Sequence, residues 1–197
     1  MPEPSTPVVR CPWGDAPPGW EGPPPAMTAY HDTEWGRELR GDRDLFERMS
    51  LEAFQSGLSW AIILRKRERF REVFAGFDPA VVAGFGDADT ARLLDDAGIV
   101  RNRQKIEATI SNARTLLELD ESFSDLLWSF APPARPAPRS YAEVPATTPE
   151  SVAMAKALKK KGFRFFGPTT AYALMQATGM VNDHLDVCVA RDGSGAA

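Results

Sequence analysis

The chain holds two cysteines, Cys11 and Cys188, and two histidines, His31 and His184, and they fall near its two ends. If the four share one centre, the first and last segments must meet and the chain between them must return on itself. A Cys2His2 set suits tetrahedral zinc, and because all four ligands are protein atoms no coordination position stays open, so such a zinc is structural. His184 and Cys188 stand four apart, which lets one helical turn present both on one face. Two alternatives remain at this level: a Cys11–Cys188 disulfide, disfavoured in a reducing cytoplasm, and four unrelated residues. Cys11 and His31 lie farther apart than ligands in standard finger spacings.

With 197 residues the chain is long enough for one domain with a proper core, or for one folded in two lobes, but not comfortably for two independent ones, and it reads as a single unit spanning 1–197. No apolar run approaches the roughly 20 residues of a membrane span, and the opening stretch lacks a basic region followed by an apolar one. No membrane association is expected, and cytoplasmic residence and a monomer are. The formal net charge of −4 argues against coating nucleic acid through bulk electrostatics. Positive charge is nevertheless gathered into three islands: Arg65, Lys66, Arg67, Arg69 and Arg71; Arg101, Arg103 and Lys105; and Lys159, Lys160, Lys161 and Arg164. Such islands in an acidic chain can follow a phosphate backbone, or they can be solvated helix faces.

Residues 1–25 are proline-rich and read as irregular, yet they hold Cys11, Trp13 and Trp20, so the segment is expected to be pinned to the body. From Asp42 to about Phe74 the apolar spacing predicts two helices joined near Gln55 to Ser59. Asp87 to Ala97 and Arg103 to Leu119 read as helices, the first ending at Gly98. Residues 131–139, with four prolines, read as a loop. Thr148-Pro149-Glu150-Ser151 is helix-start chemistry for a helix to Lys161, stopped by Gly162, and a last helix runs from about Pro168 to Thr178. With no repeats and few β-rich runs, the fold class is all-α.

Two constellations carry chemistry. Between the last two helices, the stretch from Gly162 to Ala171 sets Gly167 before a helix start, where free amides and the positive end of the helix dipole can seat an anion. Gly167, Thr169 and Thr170, with Lys161 and Arg164 for charge, are the candidate DNA contacts; an ordinary αα-corner is the bland reading. In the first of the two helices after Asp42, Glu52 stands three after Met49 and seven after Leu45, on the apolar face. A lone carboxylate there is costly unless it is paired or faces a cavity; the alternative is a rim glutamate. Tyr30 and Trp35 flank His31, and aromatics with one carboxylate are the ingredients for gripping a flat cationic base.

Taken in order, Cys11-Pro-Trp13, Tyr30-His-Asp-Thr-Glu-Trp-Gly36, Leu51-Glu-Ala-Phe-Gln-Ser-Gly-Leu-Ser-Trp60, Asp96-Ala-Gly-Ile-Val-Arg101, Ala157 to Phe166, and Val181-Asn-Asp-His184 with Cys188 resemble the type I 3-methyladenine DNA glycosylases. The resemblance runs from Cys11 to Cys188. It implies a helix-hairpin-helix fold with the hairpin element at 153–178, a structural zinc on Cys11, His31, His184 and Cys188, and a base pocket in which Glu52, Tyr30 and Trp60 act on the base with Trp13 nearby. Phe165 stands where such hairpins usually carry a first glycine. Asn182 stands where that superfamily carries a catalytic aspartate, Met27 where an aromatic can stand, and Ala53 and Phe54 where smaller or polar residues are often seen. A glycosylase without the aspartate needs a base already poised to leave.

The resemblance also implies a base excision repair enzyme whose partner is double-stranded DNA containing alkylated adenine. Such an enzyme extrudes the nucleotide at a cost of a few kcal/mol and hydrolyses the N-glycosidic bond. A base methylated at N3 carries positive charge and departs neutral, so no lysine nucleophile and no strand-cleaving lyase step are expected. The competing readings are a non-catalytic damage binder on the same scaffold and a metal-dependent hydrolase; the latter needs an open coordination position that a Cys2His2 set does not offer.

Overall fold

The computed structural model describes residues 8–15 and 25–192. Among these residues nine α-helices follow one another: α1 Ala26–Thr33, α2 Asp42–Gln55, α3 Trp60–Val73, α4 Pro79–Ala83, α5 Asp87–Asp95, α6 Arg103–Leu117, α7 Phe123–Trp128, α8 Pro149–Lys160 and α9 Pro168–Ala177, with short 3-10 turns at Ala75–Phe77 and Tyr141–Glu143. No strand occurs among the described residues. The all-α class, the α2–α3 pair joined around Gly57, and the proline-rich loop are as read from the pattern. Thr148 caps α8 by accepting from the Ser151 amide, which is the start chemistry its sequence carries.

Helix α2 is the axis of the domain. It packs against α3, α6, α7 and α9, and from Leu45 to Phe54 only Glu47 escapes burial. A helix buried all round needs apolar neighbours on every side. Phe46, Phe54, Phe70, Phe74 and Phe77 supply much of that packing, with Phe74 and Phe77 stacked at 5.4 Å and 8°. The position of α2 therefore places Glu52 inside the molecule.

Three helices escaped the sequence reading. α1, α4 and α7 have 8, 5 and 6 residues, too short to show more than a turn or two of periodicity. The expected helical turn at His184–Cys188 is also corrected: residues 182–185 have no regular secondary structure and turns follow at 186–187 and 189–192, with the Cys188 amide donating to Leu185 O at 2.9 Å. The N-terminal segment is thus tied to turns beyond the last helix rather than to a helix. Cys11 and Trp13 are pinned to the body as expected, while Trp20 lies outside the described residues.

Candidate active site and metal centre

The segments carrying the two cysteines and two histidines do meet. Cys11, His31, His184 and Cys188 are all buried and their donor atoms lie within 4.8 Å of one another. Cys188 Sγ stands 3.5 Å from His31 Nε2 and 3.4 Å from His184 Nδ1, and Cys11 Sγ stands 3.7 Å from His184 Nδ1. A sulfur and a nitrogen on one tetrahedral zinc stand about 3.6 Å apart, given bond lengths of about 2.3 and 2.0–2.1 Å, so the donor set fits such an ion. Both cysteines are free thiols, so they form no disulfide.

The groups behind the donors are also in place. The other nitrogen of His31, Nδ1, meets Asp32 Oδ1 at 2.7 Å, and Arg10 bonds that carboxylate in turn. The other nitrogen of His184, Nε2, meets the Trp35 carbonyl at 3.0 Å. These partners fix which nitrogen of each ring faces the cluster. Burial holds both imidazoles below their ordinary value, His184 down to about 4, and pushes the Cys11 thiol up to about 12. Neutral imidazoles are ready ligands, whereas buried thiols give up their protons when a cation is supplied. Two glycines leave room for the rings: a Cβ on Gly14 would fall 2.4 Å from the His31 ring, and one on Gly36, which has φ +75°, 3.1 Å from that of His184. Asn182 supports the same turn, its Oδ1 accepting from the His184 amide and its Nδ2 donating to Arg191 O.

Beside the metal centre opens a cavity of about 450 Å³, within the usual range for a small-ligand site. The wall shared with the metal centre is aromatic. Trp13 lies edge-on to His31 at 4.8 Å and to Trp35 at 5.0 Å, Trp35 edge-on to His184 at 4.7 Å, and Tyr30 at 5.2 Å from Trp60. Glu52, Tyr30, Trp60 and Trp13 all line the cavity, so the four expected pocket residues are brought together. From α9, Thr169, Tyr172, Ala173 and Gln176 line it too, a spacing that puts them on one helix face. Tyr141 and residues 144–146, beyond the proline-rich loop, close another side.

Glu52 is 4% exposed and has no hydrogen-bond partner among the described residues. Burial raises its carboxyl to about 7, against the opposing charge of Arg48 one helical turn away. Arg48 is itself committed elsewhere: it donates to the Tyr30 hydroxyl at 2.9 Å and to Glu34 at 3.1 Å, and Glu34 takes a two-pronged bond from Arg67. The result is a buried carboxylate without a bonded partner at a cavity wall, the arrangement that functional sites retain despite its cost. The Trp60 indole N–H is also buried and unpaired. Arg48 had gone unnoticed in the sequence, although a cation four residues before Glu52 on an apolar helix face is a visible signal.

The cavity mouth continues past residues 55–58 and Thr169 and Thr170 to a groove along the α8–α9 hairpin lined by Lys156, Lys159, Arg164, Phe165 and Gly167. Gly167 is the exposed residue preceding α9. Phe165 adopts φ +57°, the left-handed conformation that explains why a glycine is usual there. Asn112 of α6 clamps this turn, donating to Arg164 O at 3.0 Å and accepting from the Arg164 amide at 2.7 Å.

The basic islands are largely redirected. Arg67, Arg69 and Arg71 are paired to Glu34, to Asp96 and Glu72, and to Glu47 and Glu68. Lys105 is buried, donating to the carbonyls of Phe54 and Ser56. Most of the first island, with Lys66 donating to Ala97 O, and Lys105 therefore serve tertiary structure, while Arg65 is exposed. Lys161 pairs with Glu121 at 2.6 Å, while the Arg164 side chain carries no such pairing and is exposed.

The methyladenine glycosylase family profile matches residues 20–191. The chain is 45% identical over 181 residues to the DNA-3-methyladenine glycosylase 1 of Escherichia coli, covering 89% of this chain and 97% of that one. A crystal structure of a 3-methyladenine DNA glycosylase I superposes with a TM-score of 0.85 at 45% identity, over 91% of this chain and 98% of the other. A Staphylococcus aureus 3-methyladenine DNA glycosylase I, whose structure concerns recognition of 3-methyladenine, superposes with a TM-score of 0.81 at 33% identity, over 85% and 92%.

Proposed function

The chain belongs to the methyladenine glycosylase family, and from that premise we propose how its cavity does the family's chemistry. It is a base excision repair glycosylase that releases 3-methyladenine from alkylated DNA. Single helices and turns have to supply three things: a grip on the phosphate backbone, a slot for the extruded base, and a charge that prefers the alkylated base over the normal one.

Glu52 carries the reading. An unbonded, buried carboxylate at the wall of an aromatic cavity favours a ligand that brings hydrogen-bond donors and positive charge, and 3-methyladenine still attached to its sugar brings both. In this reading Trp60 stacks on the base, Tyr30 completes the wall with Arg48 holding its hydroxyl, and Trp13 closes the side towards the metal centre. The bond from base to sugar breaks heterolytically: its electron pair goes to the base, which leaves neutral, and water adds to the sugar carbon and gives up a proton. No protein nucleophile enters, and Lys105, buried against two carbonyls, is not poised to act as one. The hairpin from Arg164 to Thr170 seats a phosphate at the start of α9.

Cys11, His31, His184 and Cys188 would hold a zinc ion, and its role would be structural, because four protein donors leave no coordination position open for substrate. These four residues would then serve the reaction only indirectly, by keeping Trp13, Trp35 and the 182–188 turn together beside the cavity. The test is incubation with methylated DNA and chromatography of released bases. Release of 3-methyladenine by the wild type and its loss in Glu52→Gln is the expected result. Binding of the damaged DNA without release would return the non-catalytic reading.

A further inference from the structure

The mechanism leaves one buried carboxylate unused. Asp183 is 1% exposed and accepts three hydrogen bonds: from Arg135 in the proline-rich loop, from the Tyr172 hydroxyl at 2.5 Å and from Gln176 Nε2 at 2.9 Å. With its lone pairs so engaged and its charge paired, it has no free face for proton transfer. Two of its three partners, Tyr172 and Gln176, line the cavity. Asp183 thus sets what the α9 wall presents to whatever enters.

The orientation of Gln176 follows from donor and acceptor chemistry. A carboxylate paired with arginine only accepts, so the amide must turn its NH2 to Asp183; the flipped amide would set two acceptors against each other. The other end of that amide, Oε1, accepts no hydrogen bond among the described residues. Gln55 also lines the cavity, but no hydrogen bond fixes which way its amide points. Gln176 is therefore a pre-oriented acceptor on α9, on a wall separate from Glu52 of α2.

We propose that Gln176 is a specificity-determining residue of the cavity, its side-chain carbonyl accepting a hydrogen bond from the exocyclic amino group of the flipped base. The inference rests on the base-pocket reading of the cavity. An amino group has two hydrogens, and Glu52 and Gln176 face the cavity from two separate helices, Gln176 with its acceptor end fixed by Asp183. A purine bearing a carbonyl at that position would set oxygen against oxygen on both walls, and buried polar groups left unpaired in this way reject a ligand more strongly than a missing contact in an apolar slot does. Asp183 is a positioning residue in this scheme.

The test compares free 3-methyladenine with 3-methylpurine, which lacks the amino group, by calorimetric titration of the whole protein. The wild type is expected to prefer 3-methyladenine. Gln176→Met, close in shape but without the acceptor, is expected to reduce that preference about fivefold while 3-methylpurine binds within about twofold of wild type. Partial unfolding of a variant lowers both affinities by the same factor and cancels from the ratio. Asp183→Asn offers a donor as well as an acceptor, frees the amide to turn, and is expected to reduce the preference by a smaller factor; an unchanged ratio would overturn the orienting role of Asp183. A Gln176→Met preference equal to wild type, or an equal loss for both ligands, overturns the inference and leaves the pocket standing. Failure of the wild type to bind 3-methyladenine overturns both.

Discussion

Glu52→Gln separates the cost of the site from its use. The ordinary carboxyl value of 4.5 is raised to about 7 in the folded protein by burial, and at about 1.36 kcal/mol per tenfold in acidity that difference amounts to about 3 kcal/mol. The folded state keeps a proton between 4.5 and about 7 that the unfolded chain has already released. The unfolded state then binds fewer protons, so this group makes stability fall as pH rises through that window and adds no further slope above it. Glutamine stays neutral throughout. Urea denaturation of both proteins from about pH 5 to about pH 8 should therefore show Glu52→Gln gaining on wild type by up to about 3 kcal/mol as pH rises. Acid effects on the metal ligands act on both proteins and cancel in the difference. The same substitution should depress release of 3-methyladenine and remove the fall in wild-type activity below about pH 7 that protonation of Glu52 causes. Parallel stability curves for the two proteins would refute the buried, unbonded carboxylate, whatever the activity data showed.

Elemental analysis of protein purified without chelator should find about one zinc per chain, and Cys188→Ser should lose most of it and melt at a lower temperature, because metal binding to a closed site contributes folding free energy. Trp60→Ala should weaken 3-methyladenine binding by about 1–3 kcal/mol if stacking is the main term, read by calorimetry. Arg164→Glu should weaken binding to undamaged DNA and flatten its salt dependence, with Lys161→Glu costing less because Lys161 is already paired with Glu121; equal effects of the two in a salt titration would return the hairpin to an ordinary αα-corner. Asn112→Ala removes both hydrogen bonds that clamp the turn at Arg164 and should destabilise the protein by about 1–3 kcal/mol, measurable by denaturation.

Much of this protein was legible without coordinates. Long helices with clear periodicity, the glycine and proline boundaries of α8 and α9, the apolar placement of Glu52 and the scarcity of cysteine and histidine are all local or compositional, so residue order alone reveals them. What escaped depends on partners distant in the chain. Whether Arg67 meets a phosphate or Glu34, 33 residues away, is settled by how α1 and α3 pack, and a cluster of cations reads the same either way. His184 and Cys188 share the metal centre from irregular chain and turns rather than from a helix, since contacts to Cys11, His31 and Trp35, at least 149 residues away, outweigh local propensity in so short a segment. Asp183 reads as one more acidic residue until Arg135, Tyr172 and Gln176 converge on it. Local sequence specifies which elements form, because backbone propensity and hydrophobic spacing act over a few residues. The electrostatic state of a buried side chain is decided by the tertiary structure, because only that determines which charges share its low-dielectric surroundings.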